Sequence, residues 1–139
     1  CVLVHAGPRL ADGMGTVFGT VNARLSVVAL DACFSGGFAK DVITQPGRIG
    51  FFSSEEDVLS AVAGQFQAGG YLSHFIRLAM TGQADASPHD QVLTVGELSH
   101  FLYTQFGQHA TDVQLQGAYQ HLVVDRGAVH SDQVLWSYR

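Results

Sequence analysis

Short apolar runs in the first half of the chain predict buried β-strands. They cover residues 2–4, 26–30 and 48–53, and each is closed by a polar or glycine-containing turn. Runs that do not alternate with polar positions are typical of strands covered on both faces, as in a parallel sheet. Apolar residues at fourfold spacing within residues 15–25 predict a helix between the first two strands, which makes a βαβ unit.

Two amphipathic helices are predicted in the second half. The first carries an apolar stripe that starts at Tyr71 and ends at Gly82. The second begins at Thr94, which forms the Thr-x-x-Glu pattern of a capping box with Glu97, and ends near Gly107. Both helices therefore have one apolar face to bury against a sheet or against each other.

Two further apolar runs, at residues 122–124 and 134–136, predict late strands on either side of a turn at residues 125–127. Strands that alternate with helices over short connections predict a three-layer α/β/α sandwich with a mainly parallel sheet. In such sheets, functional sites lie at the carboxyl ends of the strands.

Composition limits the classes of protein that fit. The 139 residues are 47% hydrophobic and 14% charged, which suits one core and one domain. A formal charge of −5 and the lack of a Lys/Arg run argue against a nucleic-acid partner. No apolar run approaches the ~20 residues that span a bilayer, and no signal peptide is evident, so no membrane partner is expected. Two cysteines are too few for a disulfide framework, which favours a cytoplasmic location.

Two predicted strand ends carry residues of chemical interest. The chain begins with Cys1 and not with Met, and the first predicted strand follows at once, which indicates a fragment or a processed product. This strand ends at His5. The second ends at Asp31 and Cys33. A right-handed crossover places neighbouring parallel strands side by side, so His5 and Cys33 are expected to face one another. A thiol becomes a strong nucleophile when a base removes its proton and N–H donors stabilise the oxyanion that forms.

The segment around Cys33 has the form of an exposed nucleophile. Ser35, Gly36 and Gly37 allow a sharp turn that leaves the sulfur open to a substrate. Residues 27–37 read Val-Val-Ala-Leu-Asp-Ala-Cys-Phe-Ser-Gly-Gly. This segment resembles the nucleophile segment of bacterial caspase-like peptidases and metacaspases, a hydrophobic strand followed by Asp-x-Cys-x-Ser-Gly.

The resemblance continues through residues 51–57, 69–80 and 93–98, which are similar to later strand and helix motifs of that family. It implies a caspase/haemoglobinase-like fold that is incomplete at the N-terminus. Residues 1–139 would then form the C-terminal part of one peptidase domain whose first strands are missing.

The resemblance also implies a cysteine endopeptidase with a Cys-His dyad. Cys33 would be the nucleophile, His5 the general base, and the amides of Cys33 and Ala6 or Gly7 the oxyanion hole. The family usually carries Gly-His-Gly before the cysteine strand, whereas this chain has His5-Ala6-Gly7, closer to the cysteine than usual. Two alternatives stay open: the base lies on a missing segment, or it has been lost and His5 only caps a strand.

Asp31 lies two positions before Cys33, where metacaspases resemble each other in having an acid at the floor of the P1 pocket. A carboxylate at the end of an apolar strand needs a partner, and a substrate guanidinium or ammonium group would supply one. The alternative is that Asp31 accepts hydrogen bonds from loop amides and orders the turn. Ser53, Ser54 and Glu55 follow the third strand and are expected to line the same pocket, so we predict cleavage after Arg or Lys.

No metal or cofactor is predicted. Residues 85–97 only faintly resemble a calcium loop, because they lack its alternating oxygen ligands and turn glycine. The expected partner is a protein or peptide with a basic P1 residue, including the N-terminal part of the chain's own precursor.

Two other functions fit the sequence. A catalytically inactive pseudo-peptidase would use the Asp31 pocket to bind peptides or to act as a scaffold. An N-terminal nucleophile hydrolase would use Cys1, whose α-amino group can act as its own base, although its antiparallel two-sheet core does not match the predicted βαβ pattern.

Overall fold

Helices and strands alternate along the chain in a mixed α/β arrangement. The computed structural model describes residues 9–110, 114–115 and 118–138. The four α-helices found there are α1 (Arg9–Gly19), α2 (Ala39–Val42), α3 (Tyr71–Leu78) and α4 (Val95–His109). The strands found there are β1 (Ser26–Leu30), β2 (Arg48–Phe52), β3 (Val92–Thr94), β4 (Gln114–Leu115), β5 (Ala118–Tyr119), β6 (Val123–Asp125) and β7 (Val134–Ser137). None of the described helices is both long and apolar enough to cross a bilayer.

The sheet next to the cysteine has three strands in the order β1-β2-β6. β1 and β2 pair in parallel, with Ser26 opposite Arg48 and Leu30 opposite Phe52. β6 pairs with β2 in the antiparallel direction. The sequence prediction is confirmed for β1 and, to within one residue, for β2. The sheet is therefore mixed, with its parallel pair at the strand that precedes Cys33.

Strand β2 is buried on both faces, as its continuous apolar run predicts. Ile49 and Phe51 belong to the apolar cluster that also contains residues of α3 and α4. Arg48 is only 2% exposed, and its guanidinium donates to the carbonyl oxygens of Phe18 and Val42, near the C-terminal ends of α1 and α2. The negative ends of two helices thus compensate a buried cation.

Helices α3 and α4 supply most of the apolar core. Fully buried aromatic and aliphatic side chains on both helices pack with one another and with β2: Leu72, Phe75, Leu98, Leu102 and Phe106. Phe66, before α3, stacks on the ring of His74 with centroids 4.4 Å apart. The chain leaves α3 through a wide turn, Ala79–Gln83, in which Gly82 takes a positive φ of 97°. The predicted stop at Gly82 is confirmed.

The predicted capping box begins α4. The Thr94 side chain accepts from the Glu97 amide at 3.2 Å, and the Glu97 carboxylate accepts from the Thr94 amide at 2.9 Å. Burial raises the pKa of Glu97, but hydrogen bonds from Thr94 and from the Ala86 amide outweigh it, so the net pKa lies below its usual value. The helix runs two residues past the predicted end at Gly107, to His109.

Other sequence predictions are corrected or lie outside the described residues. The helix predicted over residues 15–25 is instead α1, which ends at Gly19; glycine is a poor helix former and residues 20–25 do not continue the helix. The strand predicted at residues 2–4 lies outside the described residues. The two late strands are confirmed, with β6 paired to β2 and β7 paired to β3.

Candidate functional site

Cys33 lies just beyond the C-terminal end of β1. The pairing of β1 with the β2 chain extends one residue past the end of β2, because the Ser53 amide donates to the Leu30 carbonyl at 3.0 Å. Cys33 is a free and exposed thiol, and its own amide donates to no residue that the structure describes. Cys33 therefore lies at the strand end that the sequence predicts, and its N–H group has no partner among the described residues.

The two peptide groups before Cys33 are fixed by serine hydroxyls. The Ala32 amide donates to Ser53 Oγ at 3.0 Å. The Ala32 carbonyl accepts from Ser54 Oγ at 3.1 Å and from Ser60 Oγ at 2.9 Å. Ser53 and Ser54 are fully buried. Because both sides of Ala32 are held, the backbone that carries the cysteine has little freedom to move.

The cysteine sulfur contacts one residue from the segment that follows β2. The Ser60 amide lies 3.4 Å from Cys33 Sγ, and the Ser60 carbonyl lies 3.8 Å from the same sulfur. The amide can donate to a thiolate, and the carbonyl can accept from a thiol. Ser60 thus offers a partner to either protonation state of the Cys33 sulfur.

The turn after Cys33 uses an uncommon backbone conformation. Phe34 has φ 59° and ψ 21°, the left-handed region that disfavours most side chains. Its amide donates to the Val58 carbonyl at 2.9 Å. The Gly36 amide donates to the Ser54 carbonyl at 2.8 Å, and a Cβ at Gly36 would lie only 2.7 Å from that oxygen. The small residue predicted at this position is therefore required by backbone packing.

Asp31 joins the cysteine segment to helix α3. Its Oδ2 accepts from the Ser73 amide at 2.8 Å and from the Ser73 hydroxyl at 2.7 Å. Ser73 lies in the first turn of α3, where a carboxylate is favoured by the unpaired amides and the helix dipole. Gly70 precedes the helix, and a side chain there would collide with the Asp31 carboxylate. Asp31 Oδ1 receives no hydrogen bond from any described residue.

The residues predicted to line a substrate pocket lie at different depths. Ser53 and Ser54 are fully buried and contact the cysteine segment, whereas Glu55 is exposed. Glu56 forms a salt bridge with Lys40 at 2.7 Å between two well-exposed side chains, and this hydrogen bond raises the pKa of Lys40. Only Glu55 of the three predicted pocket residues is open to solvent, and the pocket role of all three stays a prediction.

The predicted general base and part of the oxyanion hole, His5, Ala6 and Gly7, lie outside the described residues, as does Cys1. In the described part, His74 and His109 pack around Phe66, and neither hydrogen-bonds Cys33. Burial, followed by the charges of Arg77 and His109, lowers the pKa of His74. Within the part of the chain that the structure describes, no group of three or more His, Cys, Asp and Glu side chains is placed to hold a metal ion.

The sequence did not predict the residues that are far from Cys33 along the chain but stabilise the site in the fold. Ser60 lies in a short apolar stretch, Ser73 within a helix stripe, and Gln120 next to a two-residue strand. Gln120 is fully buried; its amide group accepts from the Ala61 amide at 2.7 Å and donates to the Ser53 carbonyl at 2.5 Å. Its position after a tyrosine in a polar stretch gives no signal for this contact.

Comparison with known proteins adds no relative. No family model matches the chain, and neither a curated protein nor a solved structure matches it.

Proposed function

We propose that the chain belongs to a caspase-like cysteine endopeptidase that cleaves after Arg or Lys in the cytoplasm. The observation that carries this proposal is the exposed Cys33 thiol just after a parallel strand, with both peptide groups before it held by serine hydroxyls. A fixed, accessible sulfur can approach a substrate carbonyl along a defined path. The sequence motif around Cys33 points to the same chemistry.

A three-layer sandwich is the fold we infer for this domain. Two observations support it: the side chains of Ile49 and Phe51 pack with α3 and α4, while Arg48 reaches the ends of α1 and α2. Alternate residues of β2 thus contact different sets of helices. Helices on both faces of the sheet are the arrangement of α/β sandwiches.

In the proposed reaction, His5 removes the Cys33 proton and the thiolate attacks the carbonyl carbon after the basic residue. The carbonyl electrons move to oxygen, and the amides of Cys33 and of Ala6 or Gly7 stabilise the oxyanion. The C–N bond then breaks, the amine leaves with the proton from the base, and a thioester remains. Water hydrolyses the thioester and restores the thiol.

Asp31 is the proposed P1 selector. Its Oδ2 is held by Ser73, which fixes the orientation of the carboxylate. The free Oδ1 is the atom that would accept a hydrogen bond from a guanidinium or ammonium group. Glu55 is exposed and follows the end of β2. Its negative charge would attract a basic side chain of the substrate.

Affinity labelling tests the nucleophile. A peptidyl-Arg acyloxymethyl ketone should form one thioether on Cys33, located by peptide mapping, and Cys33→Ala should remove both the adduct and the cleavage of Arg-containing peptides. Cys1→Ala is the matched control and should keep both. Cleavage by the Cys33→Ala chain would overturn the proposal, and an adduct on Cys1 would support an N-terminal nucleophile instead.

The Asp31 side chain has two separable roles, which two variants distinguish. Asp31→Asn keeps an oxygen for Ser73 but removes the charge, so it should lose the preference for Arg over neutral P1 residues while its stability stays nearly unchanged. Asp31→Ala should lose both the preference and about 1–2 kcal/mol of stability, as for a lost helix cap. Asp57→Asn is the exposed control. An unchanged P1 preference in Asp31→Asn would place the selector elsewhere.

A peptide-binding pseudo-peptidase is the second candidate. It is favoured by one observation: Ser73 fixes the Asp31 carboxylate through Oδ2, which leaves Oδ1 to hold a basic side chain without any reaction at Cys33. In that case the ketone would give no adduct, whereas an Arg-containing peptide would still bind and Asp31→Asn would weaken its binding.

A further inference from the structure

Ser60 contacts the candidate nucleophile through its backbone and the preceding peptide groups through its side chain. It lies 27 residues after Cys33 in the chain and belongs to no motif identified in the sequence. The two kinds of contact converge on the same short segment, and each can be tested separately.

The hydroxyl contacts form a closed ring. Ser60 Oγ lies 2.9 Å from the Ala32 carbonyl and 2.6 Å from Ser53 Oγ, which in turn accepts from the Ala32 amide at 3.0 Å. The Ala32 carbonyl lies within hydrogen-bond distance of three serine hydroxyls, those of Ser53 at 3.2 Å, Ser54 at 3.1 Å and Ser60 at 2.9 Å. Either oxygen can be the donor in the hydrogen bond between Ser53 and Ser60, so the two hydroxyls and both peptide groups of Ala32 are connected in either direction.

The ring has a structural consequence. It joins the end of β2, at Ser53, to the segment that carries Ser60 and to both peptide groups before Cys33. Hydrogen bonds in a connected network polarise one another and hold a polar group more firmly than isolated ones. Ser60 is thus held at a fixed place beside the sulfur, with its own amide 3.4 Å from Cys33 Sγ.

We infer that Ser60 is a positioning residue for the Cys33 thiolate, its hydroxyl fixing the segment and its main-chain N–H donating to the sulfur. The inference rests on the proposed function of Cys33 as a nucleophile. An N–H donor favours the thiolate over the thiol, because the charged sulfur is the stronger acceptor. No side chain other than a hydroxyl-bearing one completes the ring, so Thr should replace Ser60 and Ala should not.

The test measures the thiol and not the peptidase. The rate of iodoacetamide alkylation is followed from pH 5 to 10 in the full chain, and mass spectrometry of the peptide that contains Cys33 separates it from Cys1. Ser60→Ala should slow the alkylation of Cys33 at pH 7 about three- to tenfold. Ser60→Thr should restore the wild-type profile.

Two further variants keep the test decisive. Ser53→Ala opens the same ring from the other side and should move the profile in the same direction, which covers the case in which Ser60→Ala does not fold. Ser99→Ala removes another buried serine hydroxyl, which donates to the Val95 carbonyl within α4 at 2.7 Å, and should leave the profile unchanged. Circular dichroism establishes that each variant is folded.

The outcomes separate this inference from the proposed function. A wild-type profile in the folded Ser60→Ala chain, or in Ser53→Ala if the former does not fold, overturns the role of Ser60 even if the chain cleaves peptides. A shifted profile in a chain that cleaves nothing supports Ser60 as a positioning residue and removes the peptidase proposal.

Discussion

The cysteine segment and the α3–α4 layer are held together by different forces. Around Cys33, the contacts are hydrogen bonds between serine or glutamine side chains and backbone groups. Between α3 and α4, they are apolar contacts among fully buried rings and aliphatic chains. A polar network fixes atoms in one geometry because hydrogen bonds are directional, whereas apolar burial supplies free energy with little directionality. The molecule therefore separates precision at the sulfur from stability in the helices.

This difference predicts that substitutions in the two regions change different properties of the protein. Removing one partner from a buried polar network leaves another donor or acceptor unpaired, which affects the geometry of the site. Removing a methyl group from the helical layer leaves a cavity and lowers the free energy of unfolding, but the sulfur keeps its surroundings. The predictions below test whether the two regions respond in these separate ways.

The largest expected effect is in the helical layer. Leu102 is fully buried on α4, and Leu102→Ala should lower the free energy of unfolding by about 3–4 kcal/mol, measured by urea denaturation. Its neighbour Tyr103 is 51% exposed, and Tyr103→Ala, the control, should cost less than about 1 kcal/mol. Alkylation of Cys33 in the folded Leu102→Ala chain should match the wild type. A clear change in that rate would show that the two regions are coupled.

A smaller loss of stability, with a change at the sulfur, is expected for Gln120→Leu. The leucine leaves the Ala61 amide and the Ser53 carbonyl without their partners in the interior, at a cost of about 2 kcal/mol. Because Ser53 belongs to the ring beside Cys33, the alkylation rate should change as well. The exposed residue Gln133 supplies the control, Gln133→Leu, which should alter neither quantity. Equal alkylation rates in Gln120→Leu and the wild type would contradict a role for this network at the cysteine.

The same two regions differ in how far sequence predicts them. The capping box at Thr94, the stripe that starts at Tyr71 and the strand that ends at Leu30 follow from local patterns, and the structure confirms them. The contacts of Ser60 with Ala32 and Cys33, and of Gln120 with Ser53, join residues far apart in the chain. No local pattern encodes such pairs. Asp31 falls between these cases: its place at a strand end was predictable, but its bond to Ser73 was not.

The aromatic cluster beside α3 should respond to pH. His74 is buried against Phe66, and its pKa is lowered, so the folded state holds it neutral more strongly than the unfolded state does. The unfolded chain therefore binds more protons, and stability falls as the pH drops from 7 to 5 through the usual range near 6.5. His74→Phe keeps the stacked ring and should make this slope shallower, by less than the Gln120 effect. His100→Gln, an exposed control on α4, should keep the slope; an unchanged slope in His74→Phe would exclude His74 as its source.

The smallest effect is expected at the turn after the cysteine. Phe34 has a left-handed backbone and is 47% exposed. Replacing it with a smaller residue loses the contacts of a partly buried ring. The backbone strain is relieved only by a residue that tolerates the left-handed conformation. Asn tolerates this conformation and Ala does not, so Phe34→Asn should be more stable than Phe34→Ala by about 0.5–1 kcal/mol. Both variants lack the ring, so the difference between their free energies of unfolding, measured by urea denaturation, reports the preference of the backbone. Equal stabilities would mean that the left-handed turn costs nothing here, and the geometry at Cys33 would then be held without strain.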